Sequence, residues 1–256
     1  MRQAVLMAPI AMLVVGASVA IAATGHAPKP RASSLAAAAA RTAHVSTQRY
    51  AVDLRIVKDS VPRVLHARSA VAPGTVSVWL KLAPVKLPDG TLIPGSDTDG
   101  LIDGPFLYER MPDGLAGQGA IDWLRVSIAS LSPSDPALSG MQGMTAMPLL
   151  HVLGEARAHS VTRNANLFRG TVAYDDPIVV AGLRMFTAGL QFRDLQVTAW
   201  IGPQGLVRRV RLTGHTADRK TTLLVNARLY AFGRPVHVTP PAEGTFMDEQ
   251  LLQLSD

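Results

Sequence analysis

The sequence predicts an α+β fold in which helices cover an antiparallel sheet. Three observations point there. Runs of apolar and polar residues in alternation recur along the chain, the pattern of half-buried strands. These runs follow one another at short range, which suits antiparallel neighbours joined by tight connections. Helical patterns stand at the start and in the middle, placed to cover one face. The 18 Pro and 21 Gly suit the many turns of such a meander.

The elements follow in order. Ser33 or Ser34 can cap a helix from Leu35 to about Gln48, driven by five consecutive alanines. A strand follows in which Tyr50, Val52, Leu54 and Ile56 alternate with Ala51, Asp53, Arg55 and Val57. Val76, Val78, Leu80 and Leu82 alternate with Thr75, Ser77, Trp79 and Lys81. Phe106 to Met111 and Trp123 to Ile128 read the same way, with Leu124 and Val126 on one side of the second. From Pro136 to about His159 the pattern turns helical. Asp135-Pro136 is a good start, and Pro148 divides the stretch into two short helices or a loop and a helix. Leu167 to Tyr174 is a strand candidate and Pro177 to Leu190 a short helix. Phe192 to Ile201, the turn Gly202-Pro203-Gln204-Gly205, and Leu206 to Leu212 form a hairpin. Thr222 to Phe232 is a long strand, and a short helix is expected over about Phe246 to Leu254.

Residues 1–23 hold a basic start at Arg2 and an apolar run from Ala4 to Ala23. This is a signal peptide, with an A-x-A site at Ala20 and Ala22, or a retained N-terminal membrane anchor. Both place the domain outside the cytoplasm. Val14-Val15-Gly16-Ala17 resembles a lipobox in which Ala17 replaces the cysteine. Residues 24–34 read as a linker with two prolines, and residues 35–256 as one domain with enough chain for a full core.

Composition removes several chemistries. The chain has no cysteine, so disulfides, thiol catalysis and lipid attachment to a cysteine are excluded. The net charge of +6 is dispersed, and only Arg208 to Arg211 (RRVR) is dense. It reads as a solvated face, with contact to acidic lipid headgroups as the sharper alternative. No basic helix or aromatic strip accompanies the charge, so nucleic acid is not expected. There is no G-x-S-x-G and no P-loop, and the seven histidines are scattered without H-x-x-x-H spacing. No catalytic residue, metal ligand or cofactor is therefore assigned. Asp97, Asp99 and Asp103 fall in GSDTDGLIDG, which reads as an acidic turn. A calcium site there fails the EF-hand spacing, because Leu101 and Tyr108 stand where oxygen ligands are needed. Met141, Met144 and Met147 suggest either a core helix or a pliable lid over an apolar cavity.

The order of features resembles a known family. A helix leads into a strand at Tyr50. Later come Gly104-Pro-Phe-Leu-Tyr108, Trp123-Leu-Arg-Val-Ser127, and Asp135-Pro136 before a Leu-rich helix. Val197-Thr-Ala-Trp-Ile201 turns through Gly-Pro-Gln-Gly into Leu206 to Val210, and the chain ends through Tyr230 to Val236 and Pro240-Pro241. Over Ala37 to Pro241 this is similar to the LolA/LolB-like superfamily, and within it to the actinobacterial LppX/LprG-type lipoproteins. The resemblance implies a curved antiparallel half-open β-barrel covered by helices around an apolar cavity. It implies a carrier of acyl chains without a reaction. The missing cysteine at Ala17 departs from the family's lipid anchor.

The expected function is thus an exported carrier that binds lipid acyl chains or lipoproteins for envelope lipid transport. The alternative is a non-catalytic cell-envelope sensor or protein-interaction module with a collapsed cavity. Val52, Leu54, Val78, Leu80, Leu124, Val126, Met144, Met147 and Val197 are the cavity-lining candidates. A lipid or acyl-chain ligand and a membrane surface are the expected partners, and the protein is expected to be a monomer.

Overall fold

The computed structural model describes residues 35–111, 121–131, 141, 145–155, 157–161, 167–174 and 190–248. Among them are two longer helices, α1 (Leu35–Ala43) and α2 (Met147–Glu155). The first group of strands is β1 (Gln48–Lys58), β2 (Val61–Ala72), β3 (Thr75–Leu82), β4 (Val85–Lys86), β5 (Leu92–Ile93), β6 (Ser96–Asp103), β7 (Phe106–Arg110) and β8 (Trp123–Ser127). The second is β9 (Arg157–Val161), β10 (Leu167–Ala173), β11 (Asp194–Ile201), β12 (Val207–His215), β13 (Thr221–Tyr230) and β14 (Phe246–Asp248).

Twelve strands form one sheet in the order β14-β8-β7-β6-β3-β2-β1-β13-β12-β11-β10-β9, while β4 and β5 make a separate hairpin. Every neighbouring pair is antiparallel except β14 with β8. Two meanders are therefore joined along β1 and β13, whose register runs unbroken from Arg49↔Tyr230 to Lys58↔Thr221. The sheet is open, with β14 and β9 as its edges. The described residues make a mainly-β fold with two helices, a correction to the α+β class.

α1 buries Leu35, Ala38, Ala39 and Thr42, one stripe at helical spacing. Alanine lets the helix approach closely. The Thr42 hydroxyl donates to the Ala38 carbonyl at 2.7 Å and accepts from the Val207 N–H at 2.8 Å. That second bond ties α1 to the start of β12. Nearby, Gly205 has φ +72° and lies against the Arg41 guanidinium, so the Gly202–Gly205 turn has room for no side chain at that point. α1 also packs on α2, which contacts β10.

Several expectations need correction. α1 ends at Ala43, and Gln48 and Arg49 already belong to β1. β2 has no counterpart among the expected strands, because its residues VPRVLHARSAVA do not alternate cleanly. It is reached by a two-residue turn at Asp59 and Ser60, with φ of 49° and 66°, in a conformation usually advertised by glycine. GSDTDGLIDG is not a turn: Ser96 to Asp103 is strand β6, paired with β3. Asp97, Asp99 and Asp103 lie along one strand face, and Asp99 bonds Arg110 at 3.1 Å, so they do not converge on a cation. α2 starts at Met147 with Pro148 in its first turn, so the stretch divides at this proline as expected. The helix stops at Glu155, and Arg157–Val161 is strand β9. Phe246–Asp248 is strand β14, not helix. The segments 1–34, 132–140 and 175–189 lie outside the described residues, and with them the apolar run and the expected helix at Pro177 to Leu190. No helix among the described residues is long and apolar enough to cross a membrane.

Candidate functional site

Register decides which side chains share a face. One row across the sheet is Val197, Leu212, Val225, Leu54, Leu65, Leu82 and Ser96. The next is Ala199, Val210, Ala227, Val52, Ala67, Leu80 and Thr98. A third is Leu229, Tyr50, Ser69, Val78, Gly100, Glu109 and Leu124, and a fourth Gln48, Val71, Val76, Ile102, Leu107 and Val126. These rows form the inner face, the side that carries the core.

All seven strand candidates therefore stand on one face: Val52, Leu54, Val78, Leu80, Leu124, Val126 and Val197. Val52, Leu54, Val78, Val126 and Val197 are buried, while Leu80 and Leu124 are half-buried against the core. Met147, at the start of α2, is half-buried against the same core. Met144 lies outside the described residues. Met141 packs directly over Gly100, where any side chain would collide with its sulfur.

Cover is uneven. On β11, β12, β13 and β1 the inner residues are buried. Along the same rows on β2 and β3, Ala67, Ser69 and Val78 are buried, Leu65, Val76 and Leu80 are half-buried, and Leu82 is 42% exposed. Beyond Leu82 the β4–β5 hairpin leaves Leu92 and Ile93 exposed as well. An apolar surface thus runs continuously from a covered half of the sheet to an incompletely covered one.

A polar set interrupts it. Tyr50 and Ser69 are direct cross-strand partners, and Gln48 precedes Tyr50 on the same side of β1. All three are buried, yet among the described residues Tyr50 Oη, Ser69 Oγ and Gln48 Oε1 have no hydrogen-bond partner, nor does the neighbouring Thr47 Oγ1. Burial pushes the Tyr50 phenol well above its ordinary range, so it stays protonated and able to donate. Orphaned buried polar atoms are rare because each costs about 1–3 kcal/mol when left unpaired. Alternation on β1 places Tyr50 with Val52 and Leu54, but Ser69 belongs to the unanticipated strand β2.

On the opposite face, a groove of about 400 Å³ is lined by Asp53, Arg55, Pro62, Val64, Leu224 and Asn226, with Leu54 at its base. The groove is open to solvent and mixes the apolar Pro62, Val64 and Leu224 with the charged Asp53 and Arg55. No group of three or more metal-ligating side chains converges among the described residues.

No protein-family model matches the chain, and no curated protein matches it. Among solved structures, an uncharacterized conserved protein from Thermus thermophilus is similar with a TM-score of 0.37 at 9% identity, over 82% of this chain and 96% of that one. A domain described as outer membrane lipoprotein-sorting, from Vibrio parahaemolyticus, gives a TM-score of 0.28 at 10% identity, over 79% and 92%. A DUF1329 family protein from Desulfovibrio piger gives 0.23 at 5%, over 80% and 92%. Likeness at these scores carries no functional weight, so a function must be argued from the inner face itself.

Proposed function

We propose that this chain is an exported, non-catalytic carrier that holds lipid acyl chains, free or attached to a protein, against the inner face of its sheet. The observation that carries this is the apolar inner surface left partly uncovered at Leu65, Leu80 and Leu82. An open sheet of twelve strands is long enough for its twist to curl it, and a curled sheet of this kind would present a concave side. Each methylene placed on such a surface contributes about 0.8 kcal/mol, so a long chain binds without directional contacts. The Tyr50 and Ser69 hydroxyls are buried beside this surface, so they would meet the oxygen-bearing end of such a ligand only where its entry displaces the side chains that cover them. The apolar run Ala4 to Ala23 supports export, whether it is removed or retained as an anchor.

The test is to purify the exported full chain gently and analyse its organic extract by mass spectrometry. A stoichiometric acyl lipid is expected, and Leu82→Glu, at a position exposed enough to tolerate the charge, should release most of it without unfolding. An empty protein from a lipid-rich host, or full lipid retention in Leu82→Glu and Leu80→Asp, would point instead to a sensor or interaction module.

A further inference from the structure

We propose that the outer face of the sheet is a docking surface for an anionic bilayer, with lipid phosphates seated among Arg68, Arg209 and Arg228. The register builds it from distant parts of the chain. Trp200 pairs with Arg209, Arg209 with Arg228, Arg228 with Ala51, Ala51 with Arg68, and Arg68 with Trp79. This row crosses six strands, about 24 Å at the usual strand spacing. Arg211 on β12 and Arg49 and Arg55 on β1 flank it, and all six arginines are exposed.

Two carboxylates stand on this face near the row, Asp53 and, beyond Trp79, Asp99, and both are bonded to other residues. Among the described residues none of these arginines has an ion pair with a carboxylate. The ion pairs found are His66–Asp53, Arg110–Asp99 and Arg125–Asp248. Asp53, the carboxylate among these arginines on β1, is held by His66 Nδ1 at 2.7 Å. Arg209 and Arg228 stand directly opposite one another, an arrangement that destabilises a sheet unless an anion bridges it. Ala51 leaves the space between Arg228 and Arg68 free of bulk. Guanidinium groups suit phosphate because their donors form a planar fork.

The two tryptophans favour a bilayer over a nucleic acid. Arg68 lies 5.2 Å from the Trp79 ring and Arg209 5.0 Å from the Trp200 ring. Each ring thus has a guanidinium over one face, where a base would need to stack. Half-buried indoles at both ends of a basic row suit the headgroup level of a membrane. This surface is independent of whether the inner face holds a ligand.

The test is flotation of the full chain with vesicles of phosphatidylcholine alone and with phosphatidylglycerol added. Neutral vesicles report any binding through the N-terminal apolar run, and the excess on anionic vesicles reports the outer face. The excess should be at least about a hundredfold at low salt and shrink at high salt. Arg68→Gln, Arg209→Gln and Arg228→Gln should each weaken it about fivefold, and the three together about a hundredfold, with neutral binding unchanged. If the triple variant does not fold, the single variants decide. Equal binding to both vesicle types, single variants that bind like the parent, or tighter binding to a single-stranded oligonucleotide than to anionic vesicles would overturn the proposal. Loss of bound lipid with docking intact would count against the carrier function alone.

Discussion

The two halves of the inner face are built from the same kinds of residue but are covered differently. On β11 to β13 and β1, Val197, Leu212, Val225 and Val52 are buried. On β2 and β3, Leu65 and Leu80 continue the same rows and remain half-buried, ending in an exposed Leu82. α1 and α2 contribute cover on that side of the sheet, where they contact β12 and β10 and each other. One half is a folding core. The other keeps Ala67 and Val78 in the same core and loses cover toward Leu65, Leu80 and Leu82.

The largest expected effect sharpens that contrast. Leu212→Ala should cost about 2–5 kcal/mol, while Leu80→Ala should cost about 1–2 kcal/mol, measured by urea unfolding. Equal losses would mean that both halves are packed alike, and the contrast would fail. Next is the bond that seats α1. Thr42→Val keeps the shape but leaves the buried Val207 N–H unpaired, for a loss of about 1–3 kcal/mol in the same assay.

The polar set gives a smaller effect with an informative sign. Tyr50→Phe and Ser69→Ala remove hydroxyls that have no partner among the described residues, so the lipid-free protein should change by less than about 1 kcal/mol or gain stability. Lipid retention should nonetheless fall. A variant that melts higher yet holds less lipid separates a ligand contact from a structural one. If retention is unchanged, these hydroxyls do not meet the ligand.

The smallest effect is at the sheet's edge. Arg125 makes two bonds to Asp248, at 2.6 and 2.8 Å, and its guanidinium lies between the Phe106 and Phe246 rings. The Arg125 hydrogen bonds, opposed by some desolvation and helped by its charge, hold the Asp248 carboxyl below its usual range. A carboxylate depressed in the folded state stabilises it above the unfolded value and loses that contribution as pH falls through the folded one. β14 should therefore remain docked at neutral pH and loosen only below about pH 4. Hydrogen exchange at Phe246 to Asp248, compared with Asp248→Asn at neutral pH, measures it.

Much of the strand content follows from local pattern. β1, β3, β8, β10, β12 and β13 alternate strongly enough to be read directly, and every strand candidate for the cavity falls on one face. β2 and β6 resist such reading because their outer residues include Pro62, Val64 and Leu101 while their inner residues include Arg63, Ser69, Ser96 and Thr98. Their stability comes from pairing on both sides rather than from their own amphipathicity, a tertiary override of local pattern. Arg208 to Arg211 reads in isolation as an ordinary solvated run. Only pairing with β13, β1 and β2 assembles it with Arg228, Arg49 and Arg68.

The sequence by itself determined which residues of each strand go together, because side chains on an extended backbone alternate with a period of two. It also determined that no thiol chemistry is possible and that an apolar run precedes the domain. The tertiary structure decided the rest: the junction of two meanders through β1 and β13, the uneven cover over one continuous apolar face, the buried meeting of Tyr50 with Ser69, and the arginine row. These depend on pairing between residues far apart in the chain. Such pairing is set by the total burial of a whole sheet, which no short window of sequence contains.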